Sequence, residues 1–274
     1  VTATPTPHRP WLPLTFRSIA AFGRATMGRT LGVAFVAALL YGAAMAWLTV
    51  HSLVPPANQF TERLPETGEI RGRELRWGGE PFAVLADSRI VTIVVDFDGS
   101  NLEGRVADLL IKLRKTDFEV CSLFGCVTAP YPPGWIIAMN QPEVKPLWGA
   151  WRPFVVLGVF GVSLVGVLLL WVVIATASFI PVRFVLYFFD RDVTLLGTWR
   201  VLMMALLPGA AVITTGIIGY SISQVTLSGL MVIGVLHLLV DAVFWAGACW
   251  RLPLTDRRAA AKANPFTSDP SNPS

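Results

Sequence analysis

The chain has little charge. Asp, Glu, Lys and Arg make up 15% of its 274 residues, and 54% are hydrophobic. Soluble domains carry about 25% charged residues, so this balance points to an integral membrane protein. The formal charge is +4, yet no segment combines clustered Lys or Arg with interleaved aromatics, which argues against nucleic acid as a partner. Catalytic signatures are also missing. There is no Gly-rich nucleotide loop, no H-E-x-x-H, no G-x-S-x-G and no paired-carboxylate motif. His51 and the lone serines form no triad. The expectation is a non-enzyme without a cofactor. Lysine is scarce beside arginine, as a GC-rich genome gives, and Val1 is compatible with a GTG start, which suggests a bacterial source.

Long uncharged runs are what the sequence has in place of charge. Each is close to the roughly 20 apolar residues that a bilayer span needs. They predict transmembrane helices at 31–53, 153–180, 200–223 and 225–250. The expected fold class is an α-helical integral membrane bundle of four spans, with an extracytoplasmic α+β domain (54–152) inserted between spans one and two. Residues 1–30 form a basic N-terminal segment, 181–199 an interfacial amphipathic helix, and 251–274 a basic tail rich in Pro, Ser and Asn. In 181–199, Arg183, Tyr187, Asp190, Arg191 and Thr194 share one helical face. A continuation of the second span is the competing reading of that stretch. Pro208-Gly209 predicts a kink in the third span, which membrane helices tolerate.

Charge sets the expected orientation. Segments 1–30, 181–200 and 251–274 hold 11 bases and 4 acids, whereas 54–152 holds 11 bases and 13 acids. The positive-inside rule then places both termini in the cytoplasm of a bacterial inner membrane. A cleaved signal peptide competes for the first span, since Ala44-Met45-Ala46 has the A-x-A form. The long leading segment and the apolar run past that site argue against cleavage.

Within 54–152 the pattern predicts strands at Glu69 to Trp77, Phe82 to Ala86, Ile90 to Phe97, Phe118 to Leu123 and Gly134 to Asn140. It also predicts an amphipathic helix over Leu102 to Lys115, with Leu102, Val106, Leu109, Leu110 and Leu113 on its apolar side.

Four groups of residues are candidates for chemistry or contact. His237 and Asp241 lie four apart in the fourth span. An ionisable pair at that depth is costly and reads as functional by default, as a proton or cation site. Structurally, the two can bond each other, or Thr214, Thr215 or Tyr220 on the third span, and so hold the helix hairpin. Cys121 and Cys126 read as a disulfide in an oxidising compartment. Asp96, Asp98 and Asn101 begin like a calcium loop, but the twelfth position is Ala107, so a strand-to-helix turn is the simpler reading. Ala34, Ala38, Gly42 and Ala46 recur every fourth residue and offer a face for a protein partner or a second copy.

The order of elements, with IVTIVVDFDG at Ile90–Gly99 as a strand ending in Asp and a turn, resembles an uncharacterised family of bacterial polytopic membrane proteins. Some members are named for maltodextrin utilisation. The resemblance implies the topology above and carries no catalytic residues. The arginine-rich, lysine-poor composition and the cysteine pair depart from it.

Overall fold

The computed structural model describes residues 12–99 and 107–255. It shows an integral membrane protein with four long apolar helices, at Met27–Arg63, Gln141–Phe188, Leu195–Ser221 and Leu227–Trp250. An α+β domain is inserted between the first and the second. The chain divides into two compact units, one of Val1–Gly42, Val162–Gly216 and Ser228–Ser274, the other of Ala43–Gly161 and Ile217–Leu227.

The helical unit begins with a short helix, α1 (Phe16–Ala21). Thr15 caps it, its side chain accepting from the Ser18 amide while Ser18 Oγ accepts from the Thr15 amide. Its buried Ile19, with Phe22, packs into the bundle core. The basic N-terminal segment is therefore partly folded, and the first span, α2 (Met27–Leu48), starts earlier than the uncharged run suggests. The third span is the central one. Two-thirds of its apolar window is buried, against 6% for the second span and none for the fourth. It is two helices, α5 (Leu195–Ala205) and α6 (Leu207–Ser221), with the break at Leu206. The break has the expected cause two residues early: Pro208 has no N–H to give back to the preceding turn. Val201 to Leu207 form a continuous buried stretch.

Around this core, small residues let backbones approach, as packing between helices in lipid requires. Ala34 and Ala38 are fully buried in the unit's own core, with Ala175 and Ala248, and Gly42 is buried too. Three of the four small residues expected to offer an oligomer face are thus occupied within the chain, and Ala46 is half-buried. The outward faces of the second and fourth spans carry Leu157, Leu169, Val173, Val235, Leu238 and Leu239, all more than half exposed, as lipid-facing positions should be.

No separate interfacial helix forms over 181–199. The second span, α4 (Gln141–Phe188), runs on for 48 residues and ends only at Phe188. Pro181 removes a single helix bond, and the apolar residues after it sustain the helix. A turn follows, with Asp190 at φ 49°, and Thr194 then caps α5. The arginines of this stretch cap carbonyls instead of facing water. Arg183 donates to Val193 O at 2.8 Å, and Arg191 donates to Leu252 O at 2.6 Å. Arg200 donates to the carbonyls of Gly23 and Ala25. Arginine suits this work because its fork presents several donors in fixed directions.

In the second unit, a π-helical turn (Thr49–Leu53) carries the first span into α3 (Val54–Arg63). Helix continues past residue 53 because Pro55 lies in the first turn of α3, where its missing N–H is not needed. Two sheets follow. β1 (Gly68–Arg71), β2 (Glu74–Trp77) and β8 (Ile136–Ala138) form an antiparallel sheet in the order β2-β1-β8. β3 (Phe82–Asp87), β4 (Val91–Asp96), β5 (Leu109–Leu113), β6 (Asp117–Ser122) and β7 (Gly125–Pro130) form the other sheet, in sequence order. Leu64, Ile70, Leu75, Leu85, Val95, Tyr131 and Met139 make the core. Burial and the Asp117 charge raise the Tyr131 phenol above its ordinary range, and its hydroxyl donates to Arg114 O at 3.0 Å.

Two expectations are corrected in this domain. The single strand at Glu69 to Trp77 is a hairpin, turned at Gly72 and Arg73, both with positive φ. The helix expected over Leu102 to Lys115 is instead strand β5 from Leu109, parallel to β4; residues 102–106 lie outside the described residues. The apolar spacing of that stretch fits a helix face, but pairing of Leu109–Leu113 with both β4 and β6 overrides it.

Candidate functional site

The inserted domain carries a cleft of about 740 Å³ beside its three-stranded sheet. β1 and β2 alternate polar and apolar residues, so Ile70 and Leu75 enter the core while Glu69, Arg71 and Arg76 stay outside. Glu69 and Arg76 stand directly opposite each other and are 3.4 Å apart, with Arg71 also 3.4 Å from Glu69. Trp77, Glu66, Asn140 and Glu143 also line the cleft. Asn140 caps α4 by accepting from the Glu143 amide at 3.0 Å. The Trp77 indole donates to Glu80 O at 3.0 Å, which fixes its orientation. Carboxylates, guanidinium groups and one indole converge on a rigid sheet, and that lining suits a polar ligand or an extended peptide. The sequence pattern of this cleft is visible in GEIRGRELRW, but only its strand propensity drew attention.

Arg89 of the inserted domain reaches the loop that joins the third and fourth spans. It donates to Tyr220 O at 2.9 Å and Val225 O at 3.0 Å, with its guanidinium 5.0 Å from the Tyr220 ring centre. Tyr220 donates to Asp108 Oδ2 at 2.6 Å. These contacts satisfy carbonyls left open at the C-terminus of α6.

The polar cluster expected around His237 and Asp241 does not assemble. Thr214 and Thr215 donate to Ala210 O at 2.6 Å and Ala211 O at 2.9 Å on their own helix, and Tyr220 faces Asp108. His237 donates from Nδ1 to Gly234 O on its own helix. Asp241 instead lies against the Gly209 backbone of the third span. The Gly209 amide is in the first turn of α6, where no earlier turn supplies an acceptor. The break at Leu206 thus creates an open helix N-terminus, and a carboxylate is the group that such an end favours. Gly209 has room for no side chain. A Cβ there would lie 2.6 Å from Asp241 Cγ and 2.7 Å from His237 O. The sequence offers Asp241 the side chains of Thr214, Thr215 and Tyr220, and each of these bonds elsewhere.

Cys121 and Cys126 form the disulfide, bridging directly paired residues of β6 and β7 around the Leu123-Phe124 tip. Among the described residues, Glu119, Cys121 and Cys126 are the group of His, Cys, Asp or Glu side chains close enough to share an ion; the two sulfurs are already joined. Glu119 is held by Arg114 at 2.6 Å and Lys112 at 3.4 Å. Asp96 is buried at the end of β4, Asp98 follows it, and Asn101 lies outside the described residues.

No protein-family model, curated protein or solved structure matches this chain. The likeness to polytopic membrane proteins is therefore one of architecture, a four-helix bundle with a β-rich domain inserted between the first two spans.

Proposed function

We propose that this is a non-enzymatic membrane protein whose inserted domain, on the outer face of the membrane, recognises a partner or envelope ligand through the cleft of Glu69, Arg71, Arg76 and Trp77. The single observation that carries this reading is the cleft itself, lined by charged residues and a tryptophan of a three-stranded sheet. The bundle serves as anchor. α6 supplies a route for a signal, since Arg89 and Asp108 hold its C-terminal turn while Asp241 lies against its N-terminal turn. Capture from envelope extract by the intact protein in mild detergent tests the reading. Wild type should retain a species that Arg76→Glu and Trp77→Ala lose. Equal capture by all three proteins, or none by wild type, counts against it.

A second reading, a transporter or transporter subunit using Asp241 and His237, draws on one observation. Asp241 Oδ1 is buried without a hydrogen-bond partner. On that reading Asp241→Asn and His237→Ala abolish ion-coupled uptake and leave the amount of folded protein unchanged. Loss of folded protein in both favours the structural role.

A further inference from the structure

We infer that the helical unit holds an anionic phospholipid through its phosphate, in a pocket of about 420 Å³ formed by Arg17, Arg24 and Arg251. The pocket lies where α1, the turn before α5 and the end of the fourth span, α7 (Leu227–Trp250), meet. This is the end of the bundle at which α2 begins at Met27 and α7 closes at Trp250, the depth of lipid headgroups. Trp250 is 64% exposed there, as an interfacial tryptophan is.

The arginines at this end fall into two groups. Arg183, Arg191 and Arg200 are turned inward and hold backbone carbonyls. Arg17, Arg24 and Arg251 are exposed around the pocket. Arg17 and Arg251 make no side-chain hydrogen bond or ion pair among the described residues. Arg24 reaches only Asp192, at 4.0 Å, with both side chains largely exposed. Asp192 is the one acid in the lining, so the pocket carries a net charge of +2. Its other walls are small or apolar, among them Ala20, Val193 and Leu252. The eleven-residue helix α5 opens beside it at Thr194, and its N-terminal end adds positive potential. Guanidinium forks match phosphate oxygens, and basic pockets between membrane helices take anionic headgroups. The apolar walls and the interfacial depth favour a lipid over a free phosphate.

The test uses the full chain, delipidated in detergent, with phosphatidylglycerol, phosphatidylcholine and inorganic phosphate as probes. Native mass spectrometry and thermal unfolding are the readouts. Phosphatidylglycerol should bind at least about tenfold more tightly than phosphatidylcholine and raise the unfolding temperature, with about fivefold lost per arginine removed. Arg17→Gln/Arg24→Gln/Arg251→Gln should bind the two lipids alike, whereas Arg152→Gln should keep the preference. Asp192→Asn removes the opposing charge and should strengthen the preference, a change opposite in sign to general loss of fold. Unaltered preference in the triple variant, or weakened preference in Asp192→Asn, overturns the inference. Equal stabilisation by inorganic phosphate overturns the lipid assignment in favour of a soluble phosphate.

Discussion

The contact between Gly209 and Asp241 can be tested by adding one methyl group. In Gly209→Ala the new Cβ would stand 2.6 Å from Asp241 Cγ and 2.7 Å from His237 O, against about 3.5 Å or more for relaxed contact. Gly209 is followed by a regular helix on α6, and Asp241 lies within α7, so neither backbone can yield alone. The two helices must part by ~1 Å. Overpacking costs about 1–3 kcal/mol. A loss of about 2 kcal/mol is expected, or about 4–8 °C in unfolding temperature for a chain of this size. Tryptophan fluorescence during heating in detergent reads it directly. Gly234→Ala on α7 is the control, since an added Cβ there meets nothing within 4 Å; it should be neutral or slightly stabilising. Asp241→Ala removes the side-chain clash and leaves the one with His237 O, so the double variant Gly209→Ala/Asp241→Ala should be less damaged than the sum of its parts, by on the order of 1 kcal/mol. A Gly209→Ala protein as stable as wild type, or an additive cycle, would refute the contact.

Other outcomes follow from the same geometry. Arg89→Ala removes two hydrogen bonds to the loop between the last two spans; amide exchange at residues 217–227 should speed up by about tenfold or more, from about 1.5–3 kcal/mol lost, and Arg89→Lys should restore only part of it. Cys121→Ser/Cys126→Ser opens a short closed loop and should lower stability of the inserted domain by about 2 kcal/mol, as should reduction of wild type; domain unfolding insensitive to reductant would oppose this. With cytoplasmic termini, cysteines placed in 251–274 should resist impermeant labels in intact cells, and a cysteine replacing exposed Val127 should react; the reverse pattern would invert the topology.

Spans were the most legible part of the sequence, because apolar length in a bilayer is set by thickness and needs no partner. The disulfide was legible for a similar reason, since Cys121 and Cys126 are close in the chain whatever the fold. Strand β4 was readable from its β-branched run. What failed depended on partners far along the chain. Leu109–Leu113 has helical spacing, yet β4 and β6 claim it as a strand. Arg183 and Arg191 have the spacing of an interfacial polar face, yet each finds a carbonyl to hold. For Asp241, the close neighbour is the Gly209 backbone beside a helix break, and no side-chain inventory contains that group.

The recognition cleft is tested most directly by placing a photo-crosslinking residue at Ile136, which lines it and is 68% exposed, and another at Val127, which is 70% exposed on β7 and outside it. In cells, irradiation should yield a discrete adduct from position 136 and none from 127, and Trp77→Ala should abolish the adduct. Adducts of equal yield from both positions, or none from 136, would contradict the cleft as the site of recognition.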